Sequence, residues 1–221
     1  MAKRSDATRV RLSRDAIIAS ALSLADAEGL DAVTIRRLAL EHGVTPMAMY
    51  WHFNDKDSLL DGLAEHLVDM VRLPEPSDEP WDEQLGAILT AFLAAIRPHP
   101  AIAGLALRRI LVAEPGLRIA ERVLELLRRA GFSAPRSAEI GTFLVCSVIT
   151  LVSSDPTPRP MGEARDQMIR HKRAVLESLS PARYPNVIAA APALVVCRDE
   201  DDYFALNLNL LVQGTRGIPR D

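Results

Sequence analysis

The chain has 221 residues, 48% of them apolar and 25% charged, a composition too hydrophobic for a polymer that stays disordered and long enough for one or two domains at roughly 100–200 residues each. The formal charge of −3 gives no sign of a protein that coats nucleic acid over its whole surface, although an average can hide a local field. The longest nearly apolar run, Phe143–Val152, falls far short of the roughly 20 residues that span a bilayer, so no membrane partner is expected.

The basic N-terminus leads into acidic residues rather than into a continuous apolar stretch, so no secretory signal is read and a cytoplasmic location is expected. Residues 1–14 carry Lys3, Arg4, Arg9, Arg11 and Arg14 against Asp6 alone, and they read as a basic flexible arm. Ser13 and Asp15 then supply a cap and a first-turn acid for a helix with Ile17, Ile18, Ala21, Leu22, Leu24 and Ala25 at helical spacing, ended by Gly29. Thr34 caps a second helix, Ile35–His42, with Ile35, Leu38 and Ala39 inward and Gly43 after its end. Thr45 and Pro46 form a cap and first-turn pair for a very short helix, Pro46–Phe53. Asn54 and Asp55 break the chain before Lys56–Arg72, which is amphipathic through Leu59, Leu60, Leu63, Leu67 and Met70.

Leu73–Pro80 holds three prolines and cannot continue a helix, which makes it the clearest boundary in the chain. Further helices are expected at Trp81–Arg97, Ile102–Ala113, Leu117–Ala130, Arg136–Ser153, Gly162–Leu179 and Asp201–Gln213, with Ser154–Pro160 and Ser180–Arg198 irregular. The fold class is therefore all-α, about nine or ten helices, in four regions: the arm at 1–14, a helix-turn-helix unit at 12–61, a connecting helix and proline-rich linker at 62–80, and a larger bundle at 81–221. Cys146 and Cys197 sit in apolar runs without metal-ligand spacing and read as two buried thiols.

A helix, a glycine-containing turn of three residues and a short second helix is the helix-turn-helix arrangement, whose second helix enters the major groove. On a helical wheel of 46–53, Met49 and Phe53 share one side and leave Met47 and Trp51 on the other, flanked by Tyr50 and Ala48. An exposed tryptophan and methionine on so small a helix want a partner, whereas the competing reading makes Tyr50 and Trp51 core aromatics of a three-helix bundle. Tyr50, His52 and Lys56 can hydrogen-bond or pair with phosphates, and apolar groups can meet thymine methyls.

The segment from Val33 to Asp61, with Thr34, Leu38, Ala39, Gly43, Val44, Tyr50-Trp51-His52-Phe53, Lys56 and Leu59-Leu60-Asp61, resembles the DNA-binding domain of the TetR family of transcriptional repressors, and its Tyr-Trp-His triplet is similar to the tetracycline-repressor branch. Double-stranded operator DNA is the partner this implies. By position, Arg36 would reach a guanine edge, Tyr50, Trp51 and His52 would meet thymine methyls and phosphates, Lys56 would hold the backbone, and Thr45 belongs to the same DNA-binding set. Pro46, Met47 and Ala48 replace the glutamine, proline and threonine of that branch, which implies a different operator.

For the remainder the resemblance implies a homodimer through Arg136–Ser153 and Asp201–Gln213 and an inducer cavity, for which Leu89, Phe92, Leu93, Ile96, Arg108, Phe143 and Ser147 are the candidates. The positions that would match the branch's metal-binding histidines are apolar or Arg72, so a mainly apolar inducer without metal or other cofactor is expected. No phosphate loop, metal-spaced His/Glu pair or nucleophile with a base partner is found, so no enzymatic activity is read. The alternatives are an all-α small-molecule-binding protein that no longer reads DNA, and an activator of the same fold.

Overall fold

The computed structural model describes residues 12–153, 163–196 and 199–220. Among them are ten α-helices, two 3-10 turns and no strand. The arm before Leu12, Cys197 and the proline-rich 154–160 lie outside the described residues.

Helix α1, Arg14–Glu28, starts where Ser13 Oγ accepts from the Ala16 amide at 3.1 Å. It ends at Gly29, whose φ of +87° suits a residue without Cβ. After a 3-10 turn at Leu30–Ala32, Thr34 caps α2, Ile35–Glu41, through the Arg37 amide. Helix α3 is Pro46–Tyr50, shorter than expected, because the His52 and Phe53 amides both turn back onto the Met49 carbonyl. Thr45 begins it without a side-chain cap bond. Asp55 and Ser58 form a reciprocal capping box at the start of α4, Lys56–Asp69, which stops three residues before Arg72.

The linker is pinned. Gln84, buried in α5, Trp81–Ile96, donates from Nε2 to the carbonyls of Ser77 (2.9 Å) and Glu79 (2.7 Å). Beyond α5 the expected helix Ile102–Ala113 is instead a 3-10 element, Ala103–Arg108, followed by turns. Ala103 and Ala106 are its buried residues, and their three-residue spacing is the period of the tighter helix. Helix α6 is Glu114–Arg129, earlier than expected, because Pro115 falls in the first turn, where no amide is needed. Helices α7, Ala134–Ser153, and α8, Glu163–Glu177, follow. The stretch expected to be irregular contains α9, Pro185–Val195, with Pro185 at its first turn and Pro192 inside it. The last helix, α10, is Glu200–Arg216.

One continuous core runs from Ile17 of α1 to Val212 of α10, with Phe53, Phe92 and Phe132 among its largest fully buried side chains. Helix α4 packs on α1 at one side and on Ala103–Arg108, α5 and α6 at the other. Helices α8 and α9 pack chiefly on each other, and among their described side chains Ala191 is the only one buried. Helix α7 is long and apolar enough to cross a membrane by length and composition, a reach the ten-residue run in the sequence did not suggest. Its Ile140, Leu144, Val145, Val148, Ile149 and Val152 are instead buried against α5, α6 and α10, as in a core helix.

Candidate nucleic-acid interface and sensor cavities

Met49 (0% exposed) and Phe53 (1%) close the core beneath α3, so the opposite face must point to water. Trp51 is 86% exposed, Met47 70% and Tyr50 47%, and the alternative that made both aromatics core residues is therefore wrong. Arg36, Thr45, Pro46 and Lys56 are exposed as well, with Ala48 and His52 half-buried. The nine residues thus border α3 and the starts of α2 and α4. Leu40 on α2 is a further exposed apolar residue of this domain, at 77%. Its signal in the sequence was its place off the inward stripe of Ile35, Leu38 and Ala39.

Two arginines brace this head. Arg14 lies 4.5 Å above the Phe53 ring and donates to the His52 carbonyl at 3.2 Å, which fixes the chain leaving α3. Arg37 pairs with Glu28 at 2.7 Å and with Glu41 at 3.2 Å, joining α1 to α2. The hydrogen bond it donates to Glu41 and then the charge of Glu28 raise its already high pKa. Arg36, by contrast, has no ion-pair partner among the described residues.

The seven cavity candidates do not come together. Leu89, Phe92 and Ile96 are closed into the core, at 0–1% exposure, because α5 is covered on several sides by α4, α6, α7 and α10. Leu93 borders a groove between α5 and α10. Arg108 turns toward α4 and pairs with Asp61 at 2.9 Å, and it lines neither the α5/α10 groove nor the α7/α10 groove. Phe143 and Ser147 line an open groove of about 950 Å³ between α7 and α10, with Tyr203 and Leu210 opposite. Cys146 is half-buried there rather than fully buried.

A different concavity, about 360 Å³, lies between α6, α7 and the turn at 107–111. Leu107, Ile110, Val123, Leu124 and Val145 are among its apolar wall residues, Thr142 and Cys146 supply the polar atoms of its side chains, and it has no charged lining residue. Its residues were legible only as paired helical spacings, Ala120, Val123 and Leu124 against Ala138, Gly141, Thr142 and Val145. Nothing in either pattern says that space is left between them. Among the described residues no group of three His, Cys, Asp or Glu side chains is placed to hold a metal.

Residues 17–63 match the family model for bacterial regulatory proteins of the tetR family, and residues 73–217 match the tetracyclin repressor-like C-terminal domain. The tetracycline repressor protein class C of Escherichia coli is 30% identical over 210 residues, 92% of this chain and 90% of that one. An HTH-type transcriptional regulator of Saccharopolyspora erythraea is 30% identical over 188 residues, 84% of this chain and 78% of its own. Among solved structures, the TetR family protein ActR of Streptomyces coelicolor in complex with actinorhodin superposes with a TM-score of 0.79 at 29% identity, covering 93% of this chain and 96% of that one.

Proposed function

The chain belongs to the TetR family of bacterial regulatory proteins, and from that premise we propose that it is a cytoplasmic homodimeric repressor that binds a palindromic operator and is released by a small, mainly apolar inducer. The carrying observation is the exposed face of α3. Trp51, Met47 and Tyr50 stand in water above a fully buried Met49, an arrangement that costs a lone domain solubility and suits a helix laid in a major groove. Arg36 and Lys56, at the starts of α2 and α4, supply cations for a guanine edge and a phosphate. The residues 1–14, 12–61, 62–80 and 81–221 divide the work as arm, reading head, connector and sensor.

Two copies would meet through α7 and α10, whose groove exposes Phe143 and Leu210, with Leu206 exposed elsewhere on α10. The uncharged cavity between α6 and α7 suits an apolar inducer without metal, and ActR, a structural neighbour, is a precedent for a small molecule bound by this fold. Inducer binding shifts the two heads only by its differential affinity for the two arrangements, and α4 is the lever that touches both parts.

Selection of duplexes from a random pool, followed by anisotropy titration at several salt concentrations, tests the reading. A palindromic site bound with steep salt dependence is expected, and its loss in Tyr50→Ala and Trp51→Ala with the melting temperature unchanged, since exposed substitutions stay within about 0.5 kcal/mol. Absence of sequence-selective binding by the wild-type protein would sink the proposal. Unfolding of both variants would assign those aromatics a structural role. A reporter behind the selected site should rise when the gene is deleted, and a fall would make the protein an activator.

A further inference from the structure

Helix α4 carries Asp57, Asp61, Glu65 and Asp69, each four residues from the last, and so a stripe of four carboxylates about 18 Å long on one face. Like charges at this spacing repel along a helix, so the stripe weakens α4 unless cations come to it from elsewhere. They come from beyond the linker. Arg108 lies 2.9 Å from Asp61 and 3.8 Å from Asp57, Arg109 lies 3.5 Å from Glu65 and 3.8 Å from Asp61, and Arg118 of α6 lies 3.7 Å from Asp69. Every rung of this ladder joins the connecting helix to the C-terminal domain.

The ladder is a poor source of stability. Its members are mostly half-exposed, and pairs of that kind contribute about 0–1 kcal/mol each. Its information lies in register. Three cations facing four evenly spaced anions match fully in one alignment, and sliding α4 by one turn, about 5.4 Å, hands each arginine a different carboxylate and strands one end. The arginine segment is itself anchored, because the Cα of Gly116 in α6 lies so close to the backbone of 109–110 that a Cβ there would sit 2.5 Å from the Ile110 carbonyl oxygen and 2.6 Å from that of Arg109. On the other side of the head, His99 meets Asp26 of α1 at 2.8 Å, a second tie across the same junction.

We propose that Arg108, Arg109 and Arg118 are positioning residues that hold α4, and with it the reading head, in one register on the C-terminal domain, and so set the half-site spacing the dimer accepts. The spacing clause rests on the DNA-binding reading above; the register does not. Two measurements separate them. In the first, the selected duplex and versions with one or two base pairs added between half-sites are titrated with wild type, with Arg108→Gln/Arg109→Gln/Arg118→Gln, with Asp61→Asn/Glu65→Gln, and with all five changes together. The wild-type preference for one spacing should fall about tenfold in the arginine variant and by less in the carboxylate variant, which leaves the Arg118–Asp69 and Arg108–Asp57 rungs, and the combination should add little to the arginine variant because its carboxylates have already lost their partners.

In the second, spin labels at Ser23→Cys on α1 and Glu121→Cys on α6, with Cys146 and Cys197 replaced by serine, report the distance from head to sensor within one diluted protomer. A single narrow distribution should broaden when the three arginines are neutralised. An unchanged distribution, or a loss of affinity equal at all spacings in a folded dimer, overturns the proposal. Broadening in a protein that binds no DNA would keep the register role while the operator reading falls.

Discussion

Asp55 shows how a single side chain sets where a lever begins. It accepts a 2.7 Å hydrogen bond from the Ser58 amide, while its own amide donates to Ser58 Oγ at 3.1 Å. The backbone bond from Ser58, and after it the Ser58 side chain, hold the carboxyl below its ordinary value. A depressed carboxylate stabilises the fold fully above the unfolded pKa of about 3.9 and loses that contribution as pH falls through the lower folded value. Thermal melts of wild type and Asp55→Ala should therefore differ at neutral pH and converge in acid; a gap that stays constant to low pH would mean the box does not depend on the charge. Asp55 was legible in the sequence as a break before a helix. Its exchange with Ser58 was not, since only the folded turn brings both groups to each other's amides.

At the scale of elements, the segment between α5 and α6 departs most from expectation. Its apolar residues suit an α-helix, yet it folds as a 3-10 turn packed on α4 and α7 and presents its arginines to α4. Gly116 is the contact that permits this, because its missing Cβ leaves room for the backbone of 109–110. Replacing it with alanine overpacks backbone against backbone, and a loss of at least about 1–3 kcal/mol is expected in urea unfolding. Wild-type stability in Gly116→Ala would show that the two backbones can separate at no cost. Helix α9 teaches the opposite lesson. The stretch expected to be irregular holds Pro185 and Pro192, but the first sits where a helix tolerates proline and the second costs a hydrogen bond that the surrounding helix survives.

For the whole molecule, the proposed dimer turns on which apolar faces a second copy would cover. Phe143 and Leu210 are 63% and 60% exposed on either side of the α7/α10 groove. Phe143→Glu together with Leu210→Glu should shift sedimentation from dimer to monomer and weaken operator binding, because a lone head reads only one half-site. A variant that still sediments as a dimer would move the interface elsewhere. The net charge of −3 bears on none of this, since the cations proposed for DNA and those of the ladder are local and separately placed.

By itself the sequence determined the first two helices with their caps at Ser13 and Thr34, and that Met49 and Phe53 share a face opposite Trp51; which of those faces is buried was settled by the structure. The caps and the shared face depend on residues within a few turns of one another, where helical periodicity dictates direction. Only the tertiary structure decided that Phe92 is core and Phe143 is surface, that Arg108 meets Asp61 across 47 positions of chain, and that a cavity lies between α6 and α7. Burial of apolar surface has no direction of its own: the pattern of a helix says which face leaves water, and the packing of distant elements says what that face meets.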